Sequence, residues 1–151
     1  MSPRPVIIDT DPGIDDAVAI LAALASPEFE LLGITTVAGN IGIATTTRNA
    51  GRILALARRG DVPVIAGAAG PLARKGFDVA DIHGDDGLGG VAFPEPAVPP
   101  RSHHAALWLA ETLMAHPAGA IDILALGPLT NLARLVADAP EAARRIGRIV
   151  A

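Results

Sequence analysis

Val6-Ile7-Ile8-Asp9-Thr10-Asp11-Pro12-Gly13-Ile14-Asp15-Asp16-Ala17-Val18-Ala19-Ile20 is the stretch that decides the fold of this chain. A β-branched run ends in an aspartate, Pro12-Gly13 turns the backbone, and over residues 14–25 alanine and leucine take over with apolar residues at helical spacing. This reads as strand, tight turn, helix. Working outward, residues 31–37 form a second β-rich run and residues 43–59 a second helical stretch that ends in basic residues, which suit a helix C-terminus. Residues 62–65, 121–126 and 149–151 are further strands, and helices fit 102–116 and 130–137. Short, nearly continuous apolar strands alternating with helices require a parallel sheet covered on both faces. The expected fold is therefore α/β, an open, doubly wound, mainly parallel and Rossmann-like sheet. Residues 66–101, rich in glycine and proline, lack periodicity, and a segment of that length in a compact domain is usually functional.

Composition narrows the function. The 151 residues are 50% hydrophobic and 19% charged, enough apolar material for one domain-sized core and the reverse of a disordered chain. A net charge of −4 argues against a nucleic-acid or anionic-lipid partner, since phosphate binding needs clustered Lys and Arg. Without cysteine there is no disulfide framework, thiolate catalysis or zinc–thiolate site. The N-terminus shows no export signal, and the uncharged residues 31–47 are interrupted by glycines and threonines, unlike a membrane span of about 20 apolar residues. The expected location is cytoplasmic.

In an open parallel sheet, ligands bind beyond the carboxyl ends of the strands. After the first strand stand Asp9, Asp11, Asp15 and Asp16, four carboxylates in eight residues with no basic residue closer than Arg4. Their repulsion raises pKa values or demands a counter-ion, and a hard divalent cation such as calcium or magnesium suits oxygen ligands. Helix capping accounts for one or two of these carboxylates and not for all four. The spacing is no EF-hand, because Gly13 falls at the fifth place and Ile20 where the closing Glu belongs. Gly87-Leu88-Gly89-Gly90 is no dinucleotide fingerprint, and Gly127-Pro128-Leu129-Thr130 lacks the Gly-Lys of a P-loop. Trp108 sits among apolar neighbours as a helix core residue, while His103, His104 and His116 read as solvated or capping groups at helix ends.

Two families share parts of this pattern. A strand ending in Asp-x-Asp is similar to the haloacid dehalogenase-type phosphatases, with Asp9 as nucleophile and magnesium as cofactor, but Gly13 stands where that family has Thr or Val. The whole string from Asp9 to Ala17 closely resembles the N-terminal signature of the inosine–uridine-preferring nucleoside hydrolases. Ile34-Thr35-Thr36-Val37-Ala38-Gly39-Asn40, Thr47-Arg48-Asn49-Ala50, Pro63-Val64-Ile65-Ala66-Gly67, Ile82-His83-Gly84-Asp85-Asp86-Gly87-Leu88-Gly89 and Leu126-Gly127-Pro128-Leu129-Thr130-Asn131 resemble further segments of that family in the same order.

The resemblance implies hydrolysis of the N-glycosidic bond of a ribonucleoside to ribose and free base, with Ca2+ deep in the pocket. It makes Asp11 and Asp16 metal-binding carboxylates, Asp11 also the base that takes a proton from a metal-bound water, and the backbone carbonyl of Leu126 a further metal ligand. Asp15 and Asn40 are implied to hydrogen-bond the ribose hydroxyls, His83 to contact base or sugar, and Asp9 to support the metal site from behind. An oxocarbenium-like state at C1′ is stabilised by such a carboxylate-rich pocket. Residues 1–151 are then expected to be the N-terminal portion of a single nucleoside hydrolase domain, truncated at the C-terminus. The family's remaining calcium ligand and its leaving-group histidine are expected beyond Ala151, and the full-length protein is expected to be a homo-oligomer, a dimer or tetramer. A non-catalytic remnant that binds metal, or that pairs with another chain through an unfinished sheet, is the third reading.

Overall fold

A computed structural model describes residues 2–73, 82, 84–101 and 104–151. The first strand, β1 (Arg4–Thr10), runs into α1 (Ile14–Ala25), then β2 (Phe29–Thr36), α2 (Ile43–Leu56) and β3 (Val64–Ala66). After the irregular stretch come α3 (Ala105–Ala115), β4 (Asp122–Ala125), α4 (Thr130–Asp138), the short α5 (Pro140–Ala143) and β5 (Ile149–Val150). The strands are all parallel, in the order β3-β2-β1-β4-β5. The chain thus winds outward from β1 to one edge, crosses back, and fills the other side from β4, so the order reverses beside β1. The expected doubly wound α/β sheet is the one observed.

Strand β1 is central because it is apolar on both faces. Ile8 packs with Ala17 and Ile20 of α1 and Ile53 of α2, whereas Ile7 points the other way onto Leu109 and Leu113 of α3 and Leu132 and Leu135 of α4. Alternation along one strand therefore builds two separate cores, one per face. Each of these fully buried isoleucines contributes about 1.5–3 kcal/mol relative to an exposed one. Trp108 is half-buried against the second core, as expected for a packing residue.

Several boundaries differ from expectation for identifiable reasons. The exposed Phe29 and Glu30 join β2 because they pair with Arg4 and Pro5 of β1, a gain that hydrophobic patterning does not reveal. Helix α2 stops at Leu56 rather than 59: Arg58 takes a left-handed φ of 57°, its N–H donates to Ala55 O, and Arg59 N–H donates to Leu54 O. These two bonds form a Schellman closure, so the basic residues lie just past the helix. Helix α3 starts at Ala105 with His104 as N-cap, its Nδ1 accepting from Ala106 N–H at 3.3 Å. His116 ends α3, with Nδ1 2.8 Å from Thr112 O, and His103 lies outside the described residues. No helix among the described residues is long and apolar enough to cross a membrane.

Candidate active site

The carboxyl ends of β1, β2 and β4 meet where Asp11, Asn40 and Gly127 come together. Strand β1 ends in Thr10, and the Pro12-Gly13 turn delivers the chain into α1, whose N-cap, Gly13, has no side chain to offer. Asp16, in the first turn, supplies only the reciprocal half of a capping box: its Oδ2 accepts the Gly13 N–H at 3.0 Å and its Oδ1 accepts the Thr10 hydroxyl at 2.5 Å. The fixed local bonds hold a buried carboxylate at the start of the helix, where the helix dipole favours negative charge.

Asn40 links this carboxylate to Asp11. Its backbone N–H donates to Asp11 Oδ2 at 2.6 Å, and its side-chain amide donates to Asp11 O at 3.0 Å and to Asp16 Oδ2 at 3.3 Å. Two glycines let the neighbouring chain approach. A Cβ on Gly39 would fall onto Asp11 Oδ2, and one on Gly127 would lie 2.6 Å from Asp11 Oδ1. Because Leu126 N–H donates to Asp9 O at 2.8 Å, the Leu126–Gly127 peptide is carried alongside Asp11.

Asp9 lies one layer deeper. It is closed to solvent, and its Oδ1 accepts from Thr35 Oγ1 at 2.5 Å and Asn131 Nδ2 at 2.8 Å, while Oδ2 has no hydrogen-bond partner among the described residues. Asn131 also donates to Thr36 O and accepts from Ala68 N–H, both at 2.9 Å, so one amide at the start of α4 ties β1, β2 and the segment after β3 together. Burial pushes the Asp9 carboxyl up to about 6, against the Asn131 and Thr35 hydrogen bonds that lower it. Burial likewise raises Asp11 to about 6, opposed by the Asn40 N–H and assisted by the charges of Asp16 and then Asp15.

The electrostatics are one-sided. Among the described residues no arginine, lysine or histidine forms an ion pair with Asp9, Asp11 or Asp16. Nor do three or more acidic or histidine side chains among the described residues converge as a ready-made metal cage. What the chain offers is two buried carboxylates and a neighbouring main-chain peptide, an all-oxygen donor set of the kind a hard divalent cation takes. That set fits such an ion and supplies only part of the six to eight oxygens that calcium takes.

Of the residues expected from sequence, Asp11, Asp16, Asn40 and the Leu126 backbone gather at one point, with Asp9 behind them. Asp15 is exposed on the first turn of α1 and reaches the cluster through its charge on Asp11. His83 lies outside the described residues. Asn40, expected as a ribose contact, has its amide donors committed to Asp11 and Asp16. Thr10, Thr35 and Asn131 lie in the family-like strings but carry no role of their own in the sequence, since a threonine in a strand reads as a β-former and an Asn at a helix start reads as a cap. The repeated strand-then-glycine pattern, Ala38-Gly39-Asn40 and Leu126-Gly127-Pro128, is the sequence signal from which that close approach could have been read. The phosphatase reading gains no support, because a nucleophilic Asp9 has to reach phosphorus and this one is buried beneath Thr35 and Asn131.

Comparison with known proteins identifies the family. The chain is 46% identical over 146 residues to the pyrimidine-specific ribonucleoside hydrolase RihA of Salmonella enteritidis, covering 97% of this chain and 47% of that one. An uncharacterised protein of Schizosaccharomyces pombe is 47% identical over 145 residues, covering 96% and 47%. Among solved structures, a plant nucleoside hydrolase, PpNRh1, superposes with a TM-score of 0.92 at 42% identity over 98% of this chain and 47% of its own. A purine-preferring ribonucleoside hydrolase from Gardnerella vaginalis gives 0.90 at 34% identity, covering 97% and 48%. The chain spans about half the length of these relatives. With residues 6–151 matching the model of the inosine-uridine preferring nucleoside hydrolases, on a fold and a carboxylate cluster of this form, the chain belongs to that family.

Proposed function

We propose that the protein hydrolyses the N-glycosidic bond of ribonucleosides to ribose and free base, and that residues 1–151 carry its ribose-facing, cation-binding part. The observation that carries this reading is the buried Asp11–Asp16 pair, bridged by Asn40 and lacking a basic partner among the described residues, at the carboxyl ends of β1 and β4. Two of the relatives bear names that differ in base preference, pyrimidine-specific in one and purine-preferring in the other, yet both match this same half. What their substrates share is ribose, which supports assigning this half to the sugar.

Asp11 and Asp16, with the Leu126 carbonyl, would hold a calcium ion. Bound there, calcium supplies Lewis acidity and a template for a water and the ribose hydroxyls. Asp11 is the general base. Its Oδ2 is held by the Asn40 N–H, so Oδ1 is the atom assigned the proton of the attacking water. As the bond to the base breaks, positive charge grows on C1′ and the ring oxygen, and the uncompensated carboxylates stabilise it. Asp15 is assigned a hydrogen bond from a ribose hydroxyl, and His83 is assigned to the sugar or base. Asp9 keeps the floor of the site rigid through Thr35 and Asn131.

Ribose release from inosine and uridine, measured with and without calcium chelation, tests the reading, with phosphate release from a phosphomonoester as the control. Ribose release that is lost on chelation and in Asp11→Asn is the expected result. Full ribose release by Asp11→Asn, or phosphate release in place of ribose, overturns it.

A further inference from the structure

The Asn49 side chain has chemistry that the site described so far does not use. It sits in the middle of α2, fully buried, where an apolar residue would pack. Its Nδ2 donates to two main-chain carbonyls from separate loops, Asp86 O at 2.8 Å and Pro12 O at 3.3 Å. Pro12 is the residue between Asp11 and the N-cap of α1, so one amide joins the carboxylate-bearing turn to the glycine-rich loop of residues 84–90.

That loop is built to lie there. Asp86 Oδ1 accepts the N–H groups of Leu88 at 3.0 Å and Gly90 at 3.1 Å, which folds the loop on itself. Leu88 is buried in the core beneath α1 and α2 and anchors it. Gly87, at a φ of 74°, passes so close that a Cβ would lie 3.0 Å from Asn49 Nδ2 and 3.6 Å from Pro12 O. Both the left-handed backbone and the missing side chain are needed for that approach. Four observations therefore converge on one contact: a buried amide, two carbonyls, an anchoring leucine and a glycine without room for a methyl group.

We infer that Asn49 is a positioning residue, which ties the loop of residues 84–90 to the turn carrying Asp11 and so makes that loop a wall of the ribonucleoside site. The inference rests on the function proposed above for its kinetic consequence. Its structural half stands apart. Asn49→Leu keeps the approximate volume and removes both donors, and Gly87→Ala leaves Asn49 intact while pushing the loop away. If the first variant fails to fold, the second carries the test.

Two measurements decide it. Hydrogen exchange at the amides of Leu88 and Gly90 is expected to accelerate in either variant, while the amides of β1 stay protected. Nucleoside hydrolysis is expected to show KM raised about tenfold with kcat nearly unchanged, the pattern of lost uniform binding rather than lost chemistry. A purely structural role would instead lower the folded fraction, and with it the apparent kcat, at constant KM. Unchanged exchange at Leu88 and Gly90 overturns the inference, and so does faster exchange with an unaltered KM. If the unmodified protein releases no ribose from any ribonucleoside, the proposed function fails, and exchange alone then decides whether Asn49 holds the loop.

Discussion

The two ends of the sheet treat the same side chain in opposite ways. At the amino end of β4, Asp122 lies between two guanidinium groups: Arg4 makes a two-pronged contact at 2.9 and 2.7 Å, and Arg148 stands 3.4 Å away. The Arg4 hydrogen bond, more than any other influence, holds the Asp122 carboxyl below the ordinary carboxylate range. At the carboxyl end of β1, Asp9 and Asp11 have no cationic partner among the described residues, and burial raises both to about 6. A protein that needed carboxylates only for stability could pair them all as it pairs Asp122. Leaving two buried carboxylates with only amides and hydroxyls costs stability, and it preserves negative potential where a cation and a developing oxocarbenium charge are proposed to sit.

The largest expected effect separates the two ends by function. Asp11→Asn removes the assigned general base with little change in shape, so ribose release should fall by about 10²–10⁴-fold. Asp9→Asn should weaken release and leave a measurable rate. Asp122→Asn, at the far end of the sheet, should leave kcat unchanged. The comparison breaks if Asp122→Asn costs as much activity as Asp11→Asn in steady-state assays of equally folded protein.

A second effect concerns stability under the site. Asn131→Leu takes the amide from Asp9 Oδ1 and also leaves Ala68 N–H and Thr36 O without their partner. Removing one of the two donors to a buried carboxylate and the partner of two main-chain groups should cost about 2–4 kcal/mol in denaturant unfolding. A loss near zero would mean that water replaces the amide and that Asp9 is not held as described. Slightly smaller is the expected gain from metal: calcium at about a hundred times its Kd should raise unfolding free energy by about 2.7 kcal/mol. Asp16→Asn should diminish that gain, whereas Asp122→Asn should not.

The same two ends show what the amino-acid sequence could reveal. Helix α1 was expected over 14–25 and is found at Ile14–Ala25, because a strong apolar period and the preceding Pro12-Gly13 turn act within a few residues of one another. Asp11, Asp16 and Asn40 were legible for the same reason, each lying in a short, recognisable string directly after a strand. Asn131 also closes such a string, but its role was not legible, since its partner Asp9 is 122 positions away and only the parallel pairing of β1 with β4 brings them together. The Arg4–Asp122 pair is hidden in the sequence for that reason too, its members lying 118 positions apart. Local chemistry is written in local spacing, whereas a buried polar network is a property of the topology. The short α5 was also unforeseen: four residues are too few to show a period, and Pro140 at its start serves as well in a turn.

The smallest expected effect tests the amino end alone. Because the folded-state pKa of Asp122 lies below its ordinary value, its pairing contributes stability that is fully present above the unfolded carboxylate range and is lost as pH falls through the folded pKa. Arg4 is half exposed in that pair, so solvent screening limits the gain, and Arg4→Ala should lower Tm by only a few degrees at neutral pH. The difference between Arg4→Ala and the unmodified protein should then shrink as the pH falls through the lowered folded-state pKa of Asp122, because the protonated carboxyl leaves the arginine no charge to meet. A Tm difference that persists undiminished in acid would show that Arg4 acts through its other contact, the 3.2 Å hydrogen bond to Gly119 O, rather than through the carboxylate. In that case the contrast between the two ends would rest on burial and on Arg148, the remaining cation beside Asp122.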